Sequence, residues 1–255
     1  MKTAPLGPML LQQTRAEFLK LWRTPAFSGT ALVLPVMFFA FFGLPAVGRS
    51  IGGTDAGAYL LGSFAAYAVL NVMLFSFGIP VAVERAQNQD ALTRASPVSL
   101  AVYLAARVLT ALVFALLTLA VLYLFAAVVG RVGMPLGSWL GLTWRLLLGA
   151  LPFIALGFTI GFLADARAAP GVLNLVYLPM AFASGLFVPI AQLPELVQRI
   201  APILPTYQYA QLAWGAVGAA SQPLGATLLW LSAWAVALFA LSVWAYGRVE
   251  AEKFS

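Results

Sequence analysis

Apolar residues along this chain come in long unbroken runs separated by short polar or proline-rich stretches. Six such runs stand out: Phe27–Val47, Ala58–Val83, Val102–Val129, Trp144–Leu163, Gly171–Ile190 and Leu224–Tyr246. Each is about as long as the roughly 20 residues a helix needs to cross a bilayer. The fifth is the least regular, because Pro179 and Gly185 interrupt it. It is still expected to be helical, since lipid leaves no partner for irregular exposed backbone.

Two flanking segments carry a different pattern. In Met9–Arg23, at about 100° per residue, Leu10, Leu11, Phe18, Leu19, Leu21 and Trp22 share one half of a helical wheel. Gln12, Gln13, Glu17, Lys20 and Arg23 share the other, while Arg15 falls among the apolar residues. This predicts an amphipathic helix lying in the membrane interface, ended by Pro25. Between the fifth and sixth runs, Ala191–Gln222 is neither polar nor a clean span. Pro194 and Pro205 sit where first-turn prolines begin helices, and Pro202 stops the first of them. Two short helices are expected, Pro194–Ala201 and Pro205–Val217, too short to cross alone, which either dip in from the outside or cap the bundle.

Composition agrees with a membrane solvent. Hydrophobic residues make up 62% of the 255, and only 9% are charged, against about 25% charged in soluble domains. Cysteine and histidine are absent. That excludes disulfides, Cys/His zinc sites, haem ligation by histidine and any catalytic triad that uses either residue. The net charge of +6 is scattered between apolar runs, so it reads as a topology signal and not as a nucleic-acid patch. With six spans both termini share one side. That side carries Lys2, Arg15, Lys20, Arg23, Arg85, Arg94, Arg107, Arg167, Arg248 and Lys253. The other carries only Arg49, Arg131, Arg145 and Arg199. The imbalance places both termini in the cytoplasm. The first apolar run is long enough to span and no small-residue cleavage site follows it, so no cleavable leader is expected.

Chemistry-bearing residues are few. The only lysines are Lys2, Lys20 and Lys253, and none follows a glycine-rich phosphate loop. ATP hydrolysis by that route would require a separate polypeptide. No acid lies inside a span: Glu84 and Asp165 sit at cytoplasmic ends, Asp55 and Glu195 outside. This argues against an ion-coupled carrier, which places ionisable groups mid-membrane. Asn71, Thr159, Asn174 and Tyr177 are the polar groups best placed within spans, either for hydrogen bonds between helices or for a substrate path. Gly157 and Gly161 form a small-xxx-small pair suited to close helix contact, within the chain or between subunits. The most polar stretch, Glu84–Ala101, is either a solvated loop or a docking element anchored by its isolated apolar residue Leu92, with Ser96-Pro97 turning the chain into the next helix.

Glu84-Arg85, Ala91-Leu92, Ser96-Pro97-Val98-Ser99, Tyr103 and Arg107 resemble the first cytoplasmic loop of ABC-2 type transporter permeases. The stretch Gly185-Leu186-Phe187-Val188-Pro189, Leu193-Pro194, Pro202 and Pro205-Thr206-Tyr207 is similar to that family's signature before the last span. The resemblance covers essentially the whole chain as a single domain, 1–255. It implies an all-α integral membrane fold with six spans, a cytoplasmic amphipathic N-terminus (1–26), a coupling loop (84–101) and an extracellular re-entrant region (191–222). It also implies a permease pairing with a second copy, identical or not, in the bacterial plasma membrane. Two ATPase subunits would dock below and bind the ATP-Mg, leaving this chain without a cofactor or enzymatic activity of its own. Glu84, Arg85, Leu92, Arg94 and Pro97 would form the main coupling contact, and Asp165 and Arg167 in Ala164–Ala169 a smaller one. Pro189, Pro194, Pro205 and Tyr207 would belong to the extracellular cap. Export of an amphipathic cargo (drug, peptide, lipid or lipid-linked glycan) is the expected activity. A membrane-embedded enzyme and a non-transporting sensor or immunity partner of an ATPase are the rival classes.

Overall fold

The computed structural model describes residues 6–51, 53–87 and 99–253. Helix α1 (Leu6–Trp22) is followed by α2 (Pro25–Phe38), which runs on through a π turn at Phe39–Gly43 and a 3₁₀ turn at Leu44–Ala46. A two-stranded hairpin, β1 (Ser50–Ile51) and β2 (Thr54–Asp55), leads into α3 (Ala56–Ala86). Asp55 caps that helix: its carboxylate accepts from Ala58 N at 2.9 Å and Gly48 N at 2.8 Å. Then come α4 (Leu100–Val128), α5 (Leu136–Leu148), α6 (Leu151–Leu163), α7 (Ala169–Ala183), α8 (Glu195–Ile200), α9 (Pro205–Ala216) and α10 (Leu224–Lys253).

Among the described residues, five helices are long and apolar enough to cross a membrane: Pro25–Ala46, Ala56–Ala86, Ala101–Val128, Leu136–Leu163 and Leu224–Val249. Four match the expected runs closely. The fourth run, expected at Trp144–Leu163, begins two turns earlier and combines α5 and α6 across a break at Gly149-Ala150. There α9 presses in. A Cβ on Gly149 would lie 2.4 Å from Leu212 and 3.1 Å from Tyr209.

The fifth run departs from expectation. Instead of a span over Gly171–Ile190, α7 stops at Ala183 after 15 residues, roughly 22 Å of helix. Gly185, at φ 83°, turns the chain back, and Leu186 N reaches Ala181 O at 3.3 Å. Thr206 at the start of α9 donates to Met180 O at 3.0 Å and pairs with the Ser184 hydroxyl. The Thr206 side chain of α9 therefore completes the end of α7.

The two short helices appear within a residue of their expected bounds, but α9 is no surface cap. Pro205 through Trp214 are all buried, Gln208 completely. Trp234, ten residues (about 15 Å) into α10, donates to Ile203 O at 2.8 Å, so the chain entering α9 lies well below the start of α10. Helix α9 is thus packed inside the helix bundle.

Helix α3 is apolar on all sides and nearly every residue from Ala56 to Ala82 is buried, as such a helix requires. The other helices surround it. Its most extensive partner is α6, which explains the glycine pair: a Cβ on Gly161 would lie 2.8 Å from Gly78 O and 2.8 Å from Val81 Cβ, and one on Gly157 3.0 Å from Leu74 O. The small-residue motif serves packing inside the chain.

Gly161→Ala should therefore lower stability by about 1–3 kcal/mol through overpacking. Gly171→Ala, where a Cβ meets nothing within 4 Å, should leave it unchanged. Thermal unfolding of both purified variants in one detergent checks this, and equal melting temperatures would contradict the packing account.

Candidate functional site

The polar residues that matter most meet at one end of α3. Glu84 and Arg85 are neighbours on a helix, so their side chains leave it about 100° apart. Glu84 turns toward α1 and α4, Arg85 toward α6.

Glu84 accepts three hydrogen bonds. Arg107 of α4 donates to Oε1 at 2.5 Å, Lys20 of α1 to the same oxygen at 2.9 Å, and the Tyr103 hydroxyl to Oε2 at 2.6 Å. Glu17 of α1 stands 3.9 Å from Arg107, whose guanidinium also lies over the Tyr103 ring, 4.9 Å from its centroid. The Arg107 side chain is 3% exposed and that of Glu84 15%, against 48% for Lys20. The Arg107–Glu84 contact is thus desolvated, and neither charge could stand there without the other. The half-exposed lysine contributes at most about 1 kcal/mol. Packing continues the seam: Phe18 of α1 lies 4.8 Å from Phe114 of α4, and Phe27 of α2 lies 5.3 Å from the same ring.

Arg85 works on the other side. Its guanidinium donates to Phe162 O and, at 2.7 Å, to Ala164 O, the open carbonyls at the end of α6. A cation belongs there, because a helix C-terminus carries partial negative charge. Asp165 and Arg167 follow directly and are exposed, and Asp165 O accepts from Ala168 N and Ala169 N to start α7. One dipeptide therefore ties the end of α3 both to α1 and α4 and to the turn joining α6 to α7. Leu92, Arg94 and Pro97 lie outside the described residues.

The four expected path residues separate. Asn71 of α3 and Tyr177 of α7 come together, both buried, with the Tyr177 hydroxyl beside the Asn71 and Tyr67 side chains. That hydroxyl has no hydrogen-bond partner of acceptable geometry. The Tyr67 and Tyr177 rings are 5.4 Å apart, and Tyr67 continues into Phe38 and Phe187. Thr159 is elsewhere, satisfied by Ala155 O at 2.9 Å and facing Leu238 O of α10. Asn174 is exposed and bonds back to Pro170 O of its own helix at 3.0 Å. Of the cap residues, Pro189 opens a 3₁₀ turn, Pro194 is exposed ahead of α8, Pro205 begins α9, and the buried Tyr207 meets Ser221 at 3.3 Å. Glu17 and Lys20 were not foreseen as members of the site. Their three-residue spacing on the polar half of α1, one acid and one base on adjoining turns, is the signal that marks them.

The family model described as ABC-2 type transporter matches residues 10–216. A protein of Bacillus subtilis (strain 168), "Putative transport permease YvfS", is 29% identical over 244 residues, covering 95% of this chain and 99% of that one.

Glu84→Ala leaves the buried Arg107 with only the more distant Glu17, 3.9 Å away, so it should cost about 3 kcal/mol, whereas Lys20→Ala should cost about 1 kcal/mol or less. Adding Arg107→Ala to Glu84→Ala should recover part of the loss. Unfolding in nanodiscs measures all three variants, and equal effects of Glu84→Ala and Lys20→Ala would contradict the buried pair.

Proposed function

Since this chain belongs to the ABC-2 type transporter family, we propose that it is the permease subunit of an ATP-driven exporter in a bacterial plasma membrane. The family places a transport permease beside an ATPase and leaves ATP hydrolysis to that partner. In this reading the Glu84–Arg85 end faces the cytoplasm, with both termini, and the chain crosses six times. The fifth crossing is composite, α7 being completed by the re-entrant α8–α9 segment. Two permease copies face each other, and two ATPase subunits bind ATP-Mg below them.

The observation that carries the mechanism is the double tie at the end of α3. A partner pushing on the loop 84–101 moves α3, and through Glu84 it moves α1 and α4. The same push reaches the Asp165–Arg167 turn through Arg85. Coupling needs rigid elements with two alternative positions, and this end of the bundle supplies a rigid one. Leu92, Arg94 and Pro97 would belong to the docking surface, with Leu92 as its apolar anchor. The cargo would pass between the two copies, near the level of Asn71 and Tyr177. Aromatic rings around a few hydroxyl and amide groups suit an amphipathic molecule.

Arg85→Ala removes the tie to the second turn without touching the first. It should leave co-purification with the cognate ATPase intact and lower transport-coupled hydrolysis in liposomes by about tenfold, the scale of one lost charge-assisted contact. Unchanged coupling would contradict the double tie. Reporter fusions after Arg94 and Ser255 should read cytoplasm, and one between Leu193 and Thr206 the outside. An external Arg94 fusion would overturn the orientation.

A further inference from the structure

Arg15 breaks the apolar half of α1 in the sequence, and the structure explains why it is tolerated there. Helix α1 packs on α4 with one half only: Thr14 O accepts from Thr110 at 3.2 Å, Glu17 reaches Arg107, Phe18 stacks near Phe114, and Leu21 is buried. Leu11 and Trp22 lie on the flank of that half, 72% and 46% exposed, Trp22 with one side against the Phe18 and Phe114 rings. Arg15 lies just beyond Trp22 on the wheel, the three within about 40°, and it too is exposed. Arg23 is exposed about 80° further round, on the half turned from α4. Among the described residues no carboxylate lies within ion-pair distance of Arg15 or Arg23. The outward face of α1 is thus a leucine and a tryptophan interleaved with unneutralised arginines.

We propose that this face binds the headgroups of anionic phospholipids. Leu11 and Trp22 enter the acyl boundary, and Arg15 and Arg23 extend their guanidinium groups to the phosphates. Charge complementarity selects the occupant. A zwitterionic surface would satisfy the apolar residues but leave the two arginines without a net counter-charge. The bound lipid presses α1 against α4 from outside, on the side opposite the Glu84 cluster. This goes beyond the transport reading, and neither an ATPase nor a cargo enters its test.

The chain has no cysteine, so Gln12→Cys, on the exposed half of α1, can carry a single bromide-sensitive fluorophore. The full-length protein is placed in phosphatidylcholine vesicles containing brominated phosphatidylglycerol or, separately, brominated phosphatidylcholine. Quenching by the anionic lipid should be strongly preferred. Arg15→Gln with Arg23→Gln should weaken that preference by roughly 30-fold, the equivalent of about 1 kcal/mol per arginine. Both positions are exposed, so folding should survive, and Arg15→Lys with Arg23→Lys should keep the preference. Equal quenching by the two lipids in the parent protein would overturn the proposal. So would a preference that persists in the double Gln variant, or a fluorophore shielded from both lipids.

Discussion

The ion pair between Glu84 and Arg107 is the contact on which this end of the molecule depends. It joins α3, the helix at the centre of the fold, to α4, and Lys20 and Glu17 bring α1 onto the same two charges. Desolvating two charges contributes little net stability in itself, and replacing such a pair by apolar groups is often neutral. What the pair supplies is specificity. A carboxylate held by a buried guanidinium, a phenol and an ammonium has few alternative positions. The next residue, Arg85, then has no choice of direction, and it meets the end of α6. Rigidity at a place where a partner would push is a mechanical property, and here it follows from two adjacent side chains of opposite charge.

The other end of the bundle answers to the membrane itself. Helix α7 stops about 22 Å after it starts, and its end is buried, so its open carbonyls need partners from the protein. The chain resolves this with Ser184, Thr206 and the returning backbone of Leu186, and the cost of bringing polar groups to that depth is met by pairing nearly all of them. Gln211 exchanges bonds with Ser221, Tyr209 donates to Leu146 O at 2.7 Å, and the Trp214 indole donates to Ser63 at 2.9 Å. A buried helix held by hydroxyl, amide and indole contacts can shift by exchanging partners, unlike one locked by ion pairs.

Much of this was legible in the apolar runs. Four of the long helices, the helix before the first of them and the two short helices after Pro194 and Pro205 fall close to where their patterns put them. The fifth run misled because apolarity measures what a segment can bury, not where it ends. Its stop depends on Thr206, more than twenty residues on. Glu84 and Arg85 stood out as charges at a span boundary, but their partners could not. Lys20 is 64 residues from Glu84 and Phe162 is 77 from Arg85, and no local period reports such distances. Gly157 and Gly161 announced a close contact without naming Gly78 as its other side. Arg15 looked like a flaw because a wheel drawn from sequence assumes one apolar face, while α1 has one face for α4 and another looking outward.

The central claim is that α1, the end of α3 and the turn after α6 move as one body. Spin labels at Gln12→Cys and Arg167→Cys, both exposed positions in a chain without cysteine, measure it in the assembled transporter. The distance between the labels within one chain should stay the same with and without bound nucleotide, while distances between the two copies change. An intrachain shift of a helical turn, about 5 Å, on nucleotide binding would contradict the account.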